Sequence, residues 1–123
     1  MQYRKLGATD LSVSALSLGG LYLSSRGASF ESAKEATLTA ILHGVNYIDT
    51  APTYQNSEVV LGGILQGRRD IMISTKLGGY PHPFNPRSKK CLMDSFEHSL
   101  EVLGRDQIDL LMVHEPDRAM QYD

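Results

Sequence analysis

Apolar residues follow two alternating patterns along this chain. Short, nearly continuous apolar runs occupy residues 15–18, 45–49, 71–76 and 108–114. Between these runs, apolar residues step by three and four positions, the spacing of one helix face, at residues 32–43, 57–66 and 86–103. Short apolar runs are typical of strands that are covered on both faces. The pattern predicts an α/β fold whose parallel strands are joined by right-handed helical crossovers.

A more polar segment precedes this alternation. Residues 3–6 and 11–13 flank residues 7–10, where Gly7, Thr9 and Asp10 are typical of a turn. We therefore predict a small β-hairpin ahead of the main body. The sequence shows no composition break, so residues 1–123 are interpreted as one unit.

The second predicted helix has an unusual composition at its start and in its middle. Ser57 is the predicted N-cap, and Glu58 in the first turn complements the helix dipole. Gly62 and Gly63 lie in the helix interior, where each costs roughly 1 kcal/mol relative to alanine. The helix is therefore either closely packed against a neighbour or weak.

Two loops differ from ordinary connections. Gly19 and Gly20 end the first strand, where glycine permits a tight turn or a close approach of the backbone to a ligand, and composition does not separate these alternatives. Residues 21–30 are then predicted to be a loop. Residues 77–86 are rich in glycine and proline and longer than a typical connection, which indicates a functional loop over a site.

Composition narrows the class of protein. The 123 residues include 41% hydrophobic and 21% charged residues, with a net charge of −2, so nothing favours nucleic acid or an anionic membrane as a partner. No apolar run approaches the ~18–20 residues of a membrane span. Cys91 is the only cysteine, which excludes an internal disulfide and favours the reducing cytoplasm. We expect a cytoplasmic protein.

Ionisable side chains stand where three consecutive strands end. Asp49, Lys76 and His114 each close an apolar run, and Tyr54 follows Asp49 on the next loop. Each of them alone is more often a loop anchor, a packing residue or a structural histidine. Because functional groups collect at the carboxyl ends of parallel strands, their joint placement favours a single site.

This set of side chains suits one kind of chemistry. A lysine cation beside a tyrosine favours the phenolate and so makes the phenol a better proton donor. A carboxylate keeps the lysine charged, and a neutral histidine can hydrogen-bond a carbonyl oxygen. Together they form a general acid for an oxygen that becomes negative as hydride reaches carbon. Motifs for a Rossmann domain, a P-loop, a nucleophile elbow or a metal site are absent from the sequence, so we expect no metal.

The spaced motifs resemble those of the aldo-keto reductases. The matching segments are residues 4–7, 18–20, 44–51, 54, 56–58, 74–76 and 108–114. The resemblance implies a (β/α)8 TIM barrel that reduces aldehydes and ketones with NADPH, or with NADH as the alternative. It implies that Tyr54 donates the proton, that Lys76 assists it, that Asp49 holds Lys76 and that His114 positions the carbonyl. Gly20, Leu21 and Asp49 correspond to positions near the nicotinamide.

Length and a few substitutions depart from this family. A (β/α)8 barrel needs roughly 250 residues, so we expect the N-terminal half of the barrel (strands 1–4) after the hairpin, with the C-terminal half absent. A half-barrel has two unpaired strand edges, which favours self-association. Gln55 replaces a usual glycine, and Glu115 replaces a frequent aromatic residue and bears on the substrate. The alternative is a non-catalytic interaction protein of the same family, or an inactive half-barrel.

Overall fold

The computed structural model describes residues 1–114 and consists of a hairpin followed by a parallel sheet with helical crossovers. The strands are β1 (Tyr3–Lys5), β2 (Ser12–Ser14), β3 (Leu18–Gly19), β4 (Tyr47–Asp49), β5 (Met72–Leu77) and β6 (Leu110–Val113). The helices are α1 (Phe30–Leu42), α2 (Ser57–Leu65) and α3 (Lys89–Leu103). β1 and β2 pair antiparallel, and β3-β4-β5-β6 form a parallel sheet in chain order. The predicted hairpin and α/β alternation are confirmed, whereas Glu115 lies outside the described residues.

The register of the central strands separates an apolar face from a polar one. Ile48 pairs with Ile73, and both are fully buried in the cluster that α2 covers. Their neighbour pair, Asp49 and Ser74, points to the opposite face because side chains alternate along a strand. The helices therefore cover one face of the sheet, and the other face carries the polar side chains.

Capping side chains explain where the helices begin. α1 begins at Phe30 because the Ser29 side chain accepts a hydrogen bond from the Ser32 amide, and Ser88 caps α3 in the same way. The predicted N-cap at Ser57 is wrong, because Asn56 holds that position. Asn56 makes no side-chain cap bond, since its amide oxygen accepts from the Ser25 amide instead.

The segment after β3 is more regular than predicted. Residues Gly20–Leu23 form a short 3-10 helix rather than an open loop. Its last residue, Leu23, is buried in the core, while the Ser24 hydroxyl donates to the Leu21 carbonyl and closes the turn. Burial of one apolar side chain thus orders a stretch that is otherwise rich in serine and glycine.

α2 and α3 approach each other at Gly62. A Cβ atom at Gly62 would overlap the Val102 carbonyl oxygen and lie 3.1 Å from the Leu103 Cα atom. A Cβ atom at Gly63 would meet only the Phe30 ring, at 3.4 Å. Of the two explanations offered for the glycine pair, close packing is therefore correct at Gly62.

A buried arginine fastens β6 beside β5. The Arg105 guanidinium donates to the carbonyls of Arg68 and Ile71 and contacts the Asp109 carboxylate. Asp109 in turn accepts a hydrogen bond of 2.8 Å from the Ile73 amide. These contacts fix the register in which β6 reaches the polar end of the sheet.

The outer edge of the described sheet is apolar and exposed. Leu111, Met112 and Val113 on β6 keep 43%, 40% and 38% of their surface accessible. Within residues 1–114, β6 pairs only with β5 and therefore has an unpaired edge. Across this same part of the chain, no helix is long and apolar enough to span a membrane.

The glycine pair on α2 provides a stability test. We expect Gly62→Ala to lower the free energy of unfolding by about 2 kcal/mol or more, because the new methyl group meets rigid backbone of α3. Gly63→Ala is the matched control, and its higher helix propensity favours the folded state by up to about 1 kcal/mol. Urea unfolding of both variants measures the difference. Equal stabilities would contradict the close packing at Gly62.

Candidate active site

Lys76 and Asp49 form an ion pair at the carboxyl end of the sheet. The Lys76 Nζ atom lies 3.0 and 2.9 Å from the two Asp49 carboxylate oxygens and donates to the Thr50 carbonyl oxygen at 2.9 Å. The lysine side chain is 13% exposed and the aspartate side chain 30% exposed. Three acceptors thus hold a largely buried ammonium in one position.

Two hydroxyl groups in series also hydrogen-bond the Asp49 carboxylate. The Ser74 hydroxyl donates to Asp49 Oδ1 at 2.6 Å and accepts from the Tyr47 hydroxyl at 2.9 Å. Sequence reasoning missed Ser74 and Tyr47. The signal was present, because Tyr47 and Asp49 on β4, and Ser74 and Lys76 on β5, are each two residues apart and share a strand face.

Tyr54 lies on the loop after β4, above the lysine. Its amide donates to the Ala51 carbonyl in a tight turn. The Lys76 Nζ atom is 4.8 Å from the centre of the Tyr54 ring. The His114 ring meets the same ring edge-on, with centroids 5.8 Å apart and planes at 83°. The structure therefore brings Asp49, Tyr54, Lys76 and His114 together, and their catalytic roles stay predictions.

His114 is oriented by the loop that carries Tyr54. Its Nδ1 atom lies 3.0 Å from the Thr53 hydroxyl, and its amide donates to the Leu77 carbonyl. Thr53 was not predicted as a site residue. Its neighbour Tyr54 gave the only available signal, since contacts across 61 residues of chain are not visible in the sequence.

The glycines at the end of β3 differ in their surroundings. A Cβ atom at Gly20 would lie 2.6 Å from the Ser57 Oγ atom and 2.8 Å from the Asp49 carbonyl oxygen, so glycine is required there by packing. A Cβ atom at Gly19 would meet nothing within 4 Å. Gly19 pairs with Asp49 in the sheet, so open space lies beside the aspartate.

The loop after β5 closes one side of the site. A Cβ atom at Gly78 would lie 3.2 Å from the His114 Cβ atom, and one at Gly79 would lie 2.6 Å from the Thr53 Cγ2 atom. Both glycines have positive φ angles. Farther along, Tyr80 stacks on His98 of α3, with ring centroids 3.9 Å apart and planes at 12°. A cleft of about 310 Å³ remains between the two loops, lined by Pro52, Thr53, Gln55, Gly79 and His82. The predicted position of this loop at the site agrees with these contacts.

Glu58 is a buried carboxyl behind the lysine strand. It is 4% exposed, and its Oε1 atom accepts a hydrogen bond of 2.6 Å from the Thr75 hydroxyl. Burial raises the pKa of Glu58 above its ordinary value of 4.5, while the hydroxyls of Thr75 and Ser99 and the charges of His98 and Lys76 lower it. The predicted role of Glu58, as an acid that complements the helix dipole, did not anticipate this inward position.

Comparison with known proteins identifies the family. The family model described as "Aldo/keto reductase family" matches residues 15–123, which is most of the chain. The chain belongs to this family. The aldo-keto reductase resemblance drawn from the sequence motifs is therefore confirmed.

Within residues 1–114, no group of three or more His, Cys, Asp and Glu side chains could hold a metal ion.

Curated relatives of this aldo-keto reductase chain include an oxidoreductase and channel-associated proteins. The chain is 34% identical to "Probable voltage-gated potassium channel subunit beta" of Arabidopsis thaliana, covering 99% of this chain and 42% of that protein. It is 35% identical to "Uncharacterized oxidoreductase YqkF" of Bacillus subtilis, covering 93% of this chain and 39% of that protein. The chain thus spans less than half the length of these relatives.

Solved aldo-keto reductases share the fold of this chain. A Pseudomonas aeruginosa protein assigned to the aldo-keto reductases matches with a TM-score of 0.81 and 36% identity, covering 92% of this chain and 46% of that one. The holo form of an aldo-keto reductase from Bacillus halodurans matches with a TM-score of 0.81 and 33% identity, covering 93% and 40%. The predicted α/β fold of the TIM-barrel type is confirmed.

The buried carboxyl gives this aldo-keto reductase chain a pH-dependent stability. Because burial raises the pKa of Glu58, its contribution is fully present below pH 4.5 and is lost as the pH rises through the raised value. We expect Glu58→Gln to flatten this decline and to raise stability at pH 7, by about 1.4 kcal/mol for each unit of pKa shift. Urea unfolding between pH 4 and pH 8 measures the slope.

The exposed Glu35 on α1 supplies the control for that measurement. Glu35→Gln should leave the pH dependence of the free energy of unfolding as it is in the unchanged protein. If Glu58→Gln and Glu35→Gln gave the same slope, burial would not be the cause of the raised pKa.

Proposed function

We propose that this chain supplies the catalytic half of an oxidoreductase that transfers hydride between NADPH and an aldehyde or ketone. NADH is the alternative hydride donor. The observation that supports this proposal is the Lys76 ammonium, held by Asp49 and lying 4.8 Å from the centre of the Tyr54 ring, with the His114 ring edge-on to the same ring. We assign residues 1–123 to the N-terminal half of the barrel, and the C-terminal half completes the enzyme.

Each of the four side chains has a role in moving one proton. Tyr54 donates the proton to the carbonyl oxygen as negative charge develops there. The Lys76 cation stabilises the phenolate that remains, and Asp49 keeps the lysine charged and oriented. His114 donates a hydrogen bond to the substrate carbonyl oxygen and so holds the carbonyl beside Tyr54.

The space at the ends of β3 and β4 suits the planar nicotinamide ring of the cofactor. The fit rests on the open space over Gly19 beside the partly exposed Asp49 carboxylate. We assign Gly20, Leu21 and Asp49 to this contact. When bound there, the cofactor supplies the hydride. The residues of this chain align the nicotinamide end, and the grip on the phosphates belongs to the C-terminal half.

The remaining parts of the proposal concern partners and location. The substrate is a small carbonyl compound or the corresponding alcohol, and neither nucleic acid nor a membrane is a partner. The single cysteine supports a reducing compartment such as the cytoplasm.

Tyr54→Phe tests the role of the proton donor. In the full-length protein we expect kcat for carbonyl reduction to fall by about 10²–10⁴, because the ring remains and only the acidic hydroxyl is lost. Tyr22→Phe is the matched control, since Tyr22 is 66% exposed. NADPH oxidation followed by absorbance measures both variants. Turnover retained by Tyr54→Phe would rule out Tyr54 as the acid.

A second candidate function is a non-catalytic interaction protein. It is favoured by the relatives of Arabidopsis thaliana and Oryza sativa that are named as potassium channel β subunits. NADPH fluorescence and carbonyl turnover, measured on one full-length preparation, separate the two functions. Cofactor binding with turnover supports the enzyme, whereas a protein that turns over no carbonyl in a broad panel supports the interaction role.

The 123-residue chain by itself is expected to be inactive and to self-associate or precipitate. Its β6 strand exposes Leu111, Met112 and Val113 along an unpaired edge, and such edges pair with other chains. Light scattering after size-exclusion chromatography gives the mass, and NADPH oxidation gives the activity. A monodisperse monomer with carbonyl turnover would overturn this prediction.

A further inference from the structure

We propose that Ser57 and Glu58, in the first turn of α2, are the positioning residues of the site, linking the ends of β3, β4 and β5 through buried hydrogen bonds. This inference rests on the proposed function for its catalytic consequence. Neither side chain faces the substrate side of the sheet, so both act through the residues that do.

Ser57 joins the ends of β3 and β4. Its hydroxyl is fully buried and donates to the Gly20 carbonyl oxygen at 2.8 Å. Because that proton is used, the Thr50 hydroxyl, 2.8 Å away, is the donor in the second contact. The missing Cβ of Gly20 makes room for this arrangement, since a methyl group there would lie 2.6 Å from the Ser57 Oγ atom.

Glu58 joins the same helix turn to β5. The Thr75 hydroxyl donates to its carboxyl at 2.6 Å, and Thr75 is fully buried. Thr75 directly precedes Lys76, whose side chain points to the opposite face of the strand. The bond between Thr75 and Glu58 therefore anchors the backbone from which the catalytic ammonium extends.

The two links converge on the lysine from both sides. Thr50, which contacts Ser57 through its hydroxyl, also offers its carbonyl oxygen to Lys76 Nζ at 2.9 Å. The Thr50 amide donates to the Ser74 carbonyl, so β4 and β5 are fastened together beside the ammonium. One helix turn thus fixes the lysine acceptor and the lysine backbone at once.

The link to Thr75 requires a hydrogen-bond acceptor and no charge. The hydroxyls of Thr75 and Ser99 and the charge of His98 on α3 act on the Glu58 carboxyl, and the Lys76 charge acts on it from the opposite face of the strand. A neutral carboxyl or an amide at this position accepts from Thr75 equally well. Glutamine at residue 58 should therefore preserve the site, whereas leucine should not.

A double-mutant cycle in the full-length protein tests the link. We expect Thr75→Val and Glu58→Leu each to lower kcat about tenfold, with KM for the carbonyl substrate changed by less than about twofold. Since the two substitutions remove the same hydrogen bond, kcat of the double variant should be no lower than kcat of the poorer single variant. Thr75→Ser and Glu58→Gln restore the donor and the acceptor and should stay within about threefold of the unchanged protein.

Acylation of Lys76 gives a readout that needs no turnover. We expect Thr75→Val to raise the labelling rate of Lys76 at least threefold relative to the exposed Lys34, as followed by peptide mass spectrometry. Ser57→Ala, a smaller change on the other link, should raise the rate as well. Thr39→Val on the exposed face of α1 is the control and should change neither rate.

The outcomes separate the two proposals. An unchanged Lys76 labelling rate in both Thr75→Val and Ser57→Ala, or kcat effects that multiply in the double variant, would overturn the positioning role. A full-length protein that reduces no carbonyl would overturn the proposed function alone, because the labelling rates still decide whether the first turn of α2 holds the lysine.

Discussion

The largely buried ammonium of Lys76 is the constraint on which the site depends. An ammonium removed from water is costly unless paired with good geometry, and the penalty reaches several kcal/mol per ion. Here Asp49 supplies two oxygens and the Thr50 carbonyl a third. All three acceptors come from the end of β4 or the residue after it, and Lys76 lies on β5. The parallel register of β4 and β5 therefore places the acceptors around the ammonium.

One face of the sheet packs against the helices, and the other carries the polar side chains of the candidate site. Ile48 and Ile73 are buried on one face against α2, and this apolar contact stabilises the sheet without regard to function. Asp49, Ser74 and Lys76 share the other face, where hydrogen bonds replace apolar packing. Glu58 places a carboxyl on the helix-covered side, and burial there raises its pKa.

Sequence reasoning succeeded where periodicity and chain order carry the information. The alternation of short apolar runs with helical steps predicted the order of strands and helices, and the polar residue ending each run predicted that Asp49, Lys76 and His114 would meet. It failed at Ser57, because whether Asn56 or Ser57 caps α2 depends on Ser25 and Gly20, which approach only in the folded chain. Thr53 and the inward position of Glu58 were missed for the same reason, since their partners His114 and Thr75 lie far away in the chain.

The two ends of the segment Gly78–Tyr80 after β5 are held in different ways. It begins with Gly78 and Gly79 in backbone conformations that other residues rarely adopt, and Tyr80 is then pinned to α3 by its stack on His98. A Cβ atom at Gly78 would crowd the His114 side chain, and one at Gly79 would crowd Thr53, so larger residues at the start of this loop would disturb the site. The loop beside Tyr54 therefore depends on two glycines at one end and on the surface of α3 at the other.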